Sequence, residues 1–136
     1  MAAYTELFVH LVWVTAGRVP WIVPSVEQAL YAAMIAKCRT LGCPPIAAGG
    51  VEDHVHILVS FAPAVSVAKL VKEVKGASSH LMTHELARGM PFRWQEGYGA
   101  FSLRRDDVPI VRRYIAHQKE HHRTNTQNPS WEQTEP

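Results

Sequence analysis

The segment Asp53-His54-Val55-His56-Ile57-Leu58-Val59 restricts the fold more than any other part of the chain. Alternate side chains of a strand share a face, so His54 and His56 point one way. Val55, Ile57 and Val59 line the opposite, hydrophobic face. Two histidines converging from one strand can hold a divalent metal. The pair is weak support by itself, because eight histidines produce such spacings by chance. Two strand histidines can also be bonded simply to neighbours or water.

The remaining elements arrange themselves around this strand. Tyr4 to Thr15 is rich in Phe, Val and Trp and reads as strand one. Gly17 and Pro20 mark a loop. Ser25 and Gln28 form a capping box that opens a helix over 26–41, closed by Gly42. Pro44 to Val51 holds strand two, with Gly49-Gly50 as a bulge or turn, and His54 to Phe61 is strand three. Ser66 caps a second helix over 67–88, in which Val67, Leu70, Val71 and Val74 recur at helical spacing. Phe92 to Leu103 holds strand four. Asp106 or Asp107 caps a third helix, with Pro109 in its first turn, that runs to about His122. The order β-α-β-β-α-β followed by a helix predicts an α+β, ferredoxin-like (split β-α-β) antiparallel sheet with an additional C-terminal helix. In that topology strands one and three are central neighbours, so His10 can sit near His56, although sequence does not give the register.

The last helix carries the second half of a possible site. Tyr114, His117 and Gln118 lie on one helical face, and His121 continues it one turn on. An ordinary amphipathic helix, with Tyr114 in the core and the histidines in solvent, gives the same pattern. A phenol titrates near ~10 and needs help to attack phosphorus at neutral pH. A divalent metal supplies that help by polarising the phosphate. Two imidazoles and one amide oxygen leave positions open, and such mixed ligation suits Mn²⁺ and tolerates Mg²⁺. A structural zinc would need four closing ligands, and Cys38 and Cys43 lack paired spacing with histidine. No P-loop and no Gly-x-Ser-x-Gly elbow occurs.

The chain has 136 residues, the size of one domain, with residues 124–136 expected as a polar, mobile tail. The formal charge is +2. Setting aside Glu132 and Glu135 of the tail leaves 14 basic against 10 acidic side chains, or +4 for the body. That balance permits a nucleic-acid partner without requiring one. Cys38 and Cys43 form no Cys-x-x-Cys motif and fit a reducing cytoplasm as small buried side chains. The apolar stretch Leu7–Val14 is far short of the ~20 residues that span a bilayer, and no signal peptide is read.

Several segments together resemble the single-tyrosine HUH transposases of small bacterial insertion sequences, including relatives associated with repetitive palindromic elements. His54-Val55-His56 matches the His–apolar–His signature. His10-Leu11-Val12-Trp13 resembles the family's first strand, and Val65 to Ser79 its second helix. Trp94 to Ser102 resembles the strand before the nucleophile helix, and Tyr114 to His122 that helix itself. The likeness covers about residues 4–123, so 1–123 is expected as the transposase domain. It implies that Tyr114 attacks single-stranded DNA beside a hairpin, leaving a 5′-phosphotyrosine and a free 3′-hydroxyl. His54 and His56 would bind Mg²⁺ or Mn²⁺ with Gln118 as third ligand. It also implies a homodimer in which the tyrosine helix of one subunit can complete the other's metal site, although some relatives act as monomers. His117 departs from the family, where Asn often precedes the glutamine, and is expected to face solvent.

Lys69, Lys72 and Lys75 form a stripe that can contact phosphates, with Lys75 the best candidate, and Arg104 and Arg105 precede the last helix. Trp94, Tyr98 and Phe101 can stack on unpaired bases, though at least two are expected in the core. A non-catalytic single-stranded nucleic-acid-binding module shares this fold class and is the main alternative. A replication or conjugation HUH nuclease fits the short chain and lone tyrosine less well.

Overall fold

In the computed structural model, which describes residues 3–136, the strands are β1 (Phe8–Val14), β2 (Pro45–Val51), β3 (His54–Ser60) and β4 (Gly99–Leu103). The helices are α1 (Pro24–Thr40), α2 (Val67–Leu81), α3 (Val108–Ala116) and α4 (Gln118–Thr124). The four strands run in the order β2-β3-β1-β4, every pair antiparallel. This is the expected α+β, ferredoxin-like sheet, with β1 and β3 at its centre.

Strand alternation divides the sheet. Leu11, Trp13, Val55, Ile57 and Val59 face backward and pack with Ile22, Leu30 and Met34 of the α1 region and Leu70, Val71 and Val74 of α2. Each such side chain contributes about 1.5–3 kcal/mol on burial, so this layer holds most of the fold's apolar stabilisation. The front face carries His10, His54, His56 and Leu58. A smaller cluster of Leu58, Val111 and Ile115 seats α3 there. Gly49 lets it approach, since a Cβ at that position would lie 2.5 Å from the Ile115 carbonyl oxygen.

Several boundaries differ from the sequence reading. Pro24 starts α1 after Val23, with no side-chain cap, so Ser25 lies inside the helix and the expected capping box does not form. Ser66 does cap α2, accepting from the Lys69 N–H at 3.1 Å. That helix gives way at Met82–Leu86 to a π-helical turn rather than running to Arg88. Strand four is confined to five residues, and Trp94 upstream makes only an isolated bridge to Thr15. Neither Asp106 nor Asp107 caps α3 with its side chain; a 3₁₀ turn over Arg105–Asp107 leads into it. The third helix is broken at His117 (φ −110°, ψ 26°) into α3 and α4.

Residues 124–136, expected as a mobile tail, turn at Asn125 (φ 56°) and run back across the front of the sheet. Trp131 packs against the α3 cluster. The Gln133 carbonyl crosses Gly99, where a Cβ would lie only 2.0 Å from its oxygen. Among the described residues no helix is long and apolar enough to cross a membrane.

Candidate active site

His54 and His56 sit on the central strand β3 and are 2% and 0% exposed. A buried imidazole needs a partner for each ring nitrogen. His54 Nδ1 donates to Asp53 Oδ1 at 2.7 Å, which fixes the tautomer and leaves Nε2 facing the site. His56 Nδ1 meets His10 Nε2 at 2.8 Å, a diagonal cross-strand pair, because His10 lies opposite Leu58. When His56 Nδ1 is the donor of that bond, its Nε2 is free to ligate.

Tyr114 and Gln118 approach from the helical side and are 6% and 1% exposed. The Tyr114 ring centroid is 5.8 Å from that of His56, and His121 stacks on the Tyr114 ring at 4.8 Å. The break at His117 lets the Gln118 Nε2 donate to the Tyr114 carbonyl at 3.4 Å. Its Oε1 then faces His54 Nε2 at 3.4 Å and His122 Nε2 at 3.2 Å. The four residues the sequence nominates, His54, His56, Tyr114 and Gln118, therefore meet within one chain. His117 is exposed, as expected, with Nδ1 against the Arg113 carbonyl at 2.8 Å.

Glu132 completes the constellation. Its Oε1 lies 3.0 Å from His54 Nε2 and 3.2 Å from His122 Nε2, and its Oε2 lies 3.0 Å from His56 Nε2. Tyr114 donates its phenolic proton to Oε2 at 2.5 Å and accepts the Asn128 N–H at 3.0 Å. Sequence reasoning missed Glu132, His122 and the orienting role of Asp53. His122 was open to discovery, being four residues after Gln118 on the same helical face. Nothing local marks Glu132.

The charges follow from these contacts. Burial opposes a charged His54, but the Asp53 and Glu132 carboxylates outweigh it and raise its pKa to about 9. Burial, with His56 beside it, pushes His10 down to about 3, so it is neutral. Burial also lowers His56 despite Glu132. Burial opposes ionisation of Glu132, yet the His54 and His56 rings hold it far below the usual carboxylate range. Burial and the Glu132 carboxylate push the Tyr114 phenol up to about 12.

The donor set fits a divalent cation. His54, His56 and Glu132 each offer one ligand atom, all within 4.8 Å of one another. Oxygen and nitrogen ligands about 2.1 Å from one octahedral ion stand about 3.0 Å apart, the spacing seen between Glu132 and the two rings. His56 Nε2 is buried and has no hydrogen-bond partner although Glu132 is 3.0 Å away. At that spacing the ring nitrogen and the carboxylate oxygen could share one ion.

The basic candidates are dispersed. Helix α2 packs on the back of the sheet, so Lys69 and Lys72 are exposed on the side away from the imidazoles. Lys75 is spent on structure, donating to the Gln95 and Gly97 carbonyls at 2.8 and 2.7 Å. Arg104 and Arg105 are exposed beside α3, paired with Asp106 at 3.6 Å and Glu6 at 3.1 Å. Trp94 and Tyr98 belong to the rear core; Phe101 lies on the front, 5.7 Å from His10 between ring centroids.

With this geometry in view, the comparisons with known proteins are specific. No curated protein sequence matches the chain. Among solved structures, a Deinococcus radiodurans R1 protein provisionally assigned as a transposase aligns at 22% identity and a TM-score of 0.69. That alignment covers 87% of this chain and 95% of the other. A REP-associated tyrosine transposase bound to a REP hairpin aligns at 18% identity and a TM-score of 0.67, covering 90% of this chain and 74% of the other. These likenesses establish the shared fold. The family described as "Transposase IS200 like" matches residues 3–118, nearly the whole body, and the chain belongs to that family of transposases.

Proposed function

We propose that this transposase cuts and rejoins single-stranded DNA at hairpin-bearing element ends, with Tyr114 as nucleophile. The observation that carries the reading is the meeting of a buried phenol with the two imidazoles of β3 and the Gln118 amide in one chain. His54, His56 and Gln118 would hold Mg²⁺ or Mn²⁺, their mixed nitrogen and oxygen donors suiting either ion. The bound ion would polarise the scissile phosphate and offset the charge that builds on it. Asp53 and His10 keep the two rings oriented. Tyr114 Oη forms a bond to phosphorus as the bond to the 3′ oxygen breaks. The 5′ side is left on the tyrosine, and the phenolic proton ends, in net, on the 3′-hydroxyl. Reversal with another 3′-hydroxyl rejoins the strand, since the phosphotyrosine keeps the energy of the broken link.

The neighbour solved with a REP hairpin supports a DNA hairpin as the substrate class. Arg104 and Arg105, exposed beside the tyrosine helix, are the better phosphate contacts; Lys72 could serve only DNA that wraps the rear face. We assign the nucleophile in cis, because the chain's own Tyr114 meets its own imidazoles. A homodimer, which the resemblance implies, would then pair two complete sites. We place the reaction in the cytoplasm, where Cys38 and Cys43 stay as free thiols.

Incubation with a hairpin-bearing single strand and Mn²⁺ should trap a covalent protein–DNA species, absent in Tyr114→Phe. An adduct that persists in that variant rejects the nucleophile. Hairpin binding without cleavage, indifferent to metal and to Tyr114→Phe, would instead favour a binding module.

A further inference from the structure

The C-terminal strap, residues 127–134, lies against Tyr114 and the two imidazoles of β3. We propose that Glu132 is a cation ligand of the resting transposase, supplied in cis, and that the strap it anchors seals Tyr114 until DNA displaces it. This rests on the reading that His54 and His56 hold a divalent cation.

Three independent contacts support it. First, Glu132 spans the two metal-facing nitrogens at 3.0 Å each, and His56 Nε2, fully buried, has no hydrogen-bond partner. The ring nitrogens and the carboxylate oxygens therefore converge closely enough to share one ion. Second, the strap has a built seat. Its Gln133 carbonyl passes over Gly99 where a side chain would collide, and Trp131 stands edge-on to Tyr114 at 4.9 Å and to His10 at 6.2 Å. Third, the phenol is consumed in this state. It donates to Glu132 and accepts from the Asn128 N–H, so neither its proton nor that lone pair is available to a phosphate.

A carboxylate and a phosphate both present anionic oxygens to a cation. The strap and the substrate therefore compete for one coordination position, and the strap acts as an internal stand-in for DNA. Sealing the site this way leaves the phenol protonated and a bound ion screened from adventitious strands. DNA entry then exchanges one anionic ligand for another, and the free energy of displacing the strap lowers the apparent DNA affinity.

The test uses the full chain and Mn²⁺ alone, with affinity read by calorimetry and strap closure by hydrogen exchange. Wild type should bind Mn²⁺ and gain protection over 127–134. Glu132→Gln, nearly isosteric, should bind about tenfold more weakly and gain none, with Glu132→Ala behaving alike. A hairpin oligonucleotide added to the Mn²⁺-bound wild type should remove the protection. Unchanged Mn²⁺ affinity in both Glu132 variants, or strap protection that falls when Mn²⁺ binds, overturns the proposal. Mn²⁺ affinity indifferent to His54→Ala and His56→Ala would sink the underlying metal reading as well, and so is told apart from a failure of Glu132 alone.

Discussion

The two faces of the sheet are equally dry and chemically opposite. Behind it, Leu11, Trp13, Val55, Ile57 and Val59 meet α1 and α2 in a layer whose stabilisation comes from apolar area. In front, His10, His54 and His56 are just as inaccessible, but each buried ring nitrogen costs free energy unless partnered. The partners there come from distant segments: Asp53 from the β2–β3 turn, Gln118 from α4, Glu132 from the C-terminal strap. His10 Nδ1 and His56 Nε2 remain without a hydrogen bond. The rear layer also buries two unpartnered polar atoms, Trp13 Nε1 and Tyr31 Oη, but each is the edge of a large apolar ring, whereas the unpartnered nitrogens in front belong to imidazoles that converge on one point. A stable rear layer is what permits an imperfectly satisfied front.

That contrast can be broken by substitutions whose effects should fall on one face and spare the other. The largest effect on stability should come from the rear. Trp13→Ala removes a fully buried ring and should cost about 3–5 kcal/mol in urea unfolding. Cation affinity of the fraction still folded should stay unchanged; a parallel loss of affinity would show that the faces are not separable. Next comes Asp53→Asn, which removes the carboxylate that orients His54. It should weaken Mn²⁺ binding by about tenfold to a hundredfold with only a small change in the unfolding midpoint. Equal affinities would mean that the ring is held by packing alone.

A subtler effect belongs to Gly99→Ala, which leaves every candidate ligand in place. The new methyl group would lie 2.0 Å from the Gln133 carbonyl oxygen and 2.8 Å from a Val12 methyl; the carbonyl is the tighter clash, so hydrogen exchange over 131–134 should quicken and hairpin binding should tighten modestly. Slower exchange would place the strap's anchor elsewhere. The smallest effect concerns the rear-face thiols. Cys38 and Cys43 are both fully buried, and burial pushes the Cys38 thiol up to about 12. Neither should react with iodoacetamide at neutral pH in the native protein, and both should react once it is unfolded. Rapid alkylation of the native chain would reveal opening of the α1 layer.

How much of this was legible depended on whether the signal was local. The shared direction of His54 and His56 follows from a period of two residues. The Tyr114–Gln118 pairing follows from helical spacing, and it survived the break at His117 because those residues flank a single irregular position. The order of elements carried the sheet topology and so made His10 and His56 neighbours in principle; the register that brings them to 2.8 Å came only with the structure. The surroundings of the Lys69, Lys72 and Lys75 stripe were not legible, for a related reason. Its spacing was read correctly, but spacing does not say which side of the sheet a helix covers. Nor did it reveal that Lys75 would bond to the Gln95 and Gly97 carbonyls. The Ser25–Gln28 capping box failed because Pro24 starts the helix two residues earlier than expected, with Val23 at the N-cap position.

Sequence alone determined which side chains share a face, because periodicity is a property of neighbours along the chain. It thereby settled the paired imidazoles, the tyrosine helix and the split β-α-β order. Only the tertiary structure decided what those faces meet. Glu132 lies 78 positions beyond His54 in a polar segment with no periodic signature. It reaches the site only because Asn125 reverses the chain and Gly99 leaves a path across the sheet. A contact of that kind depends on the course of the whole backbone, which no local pattern records.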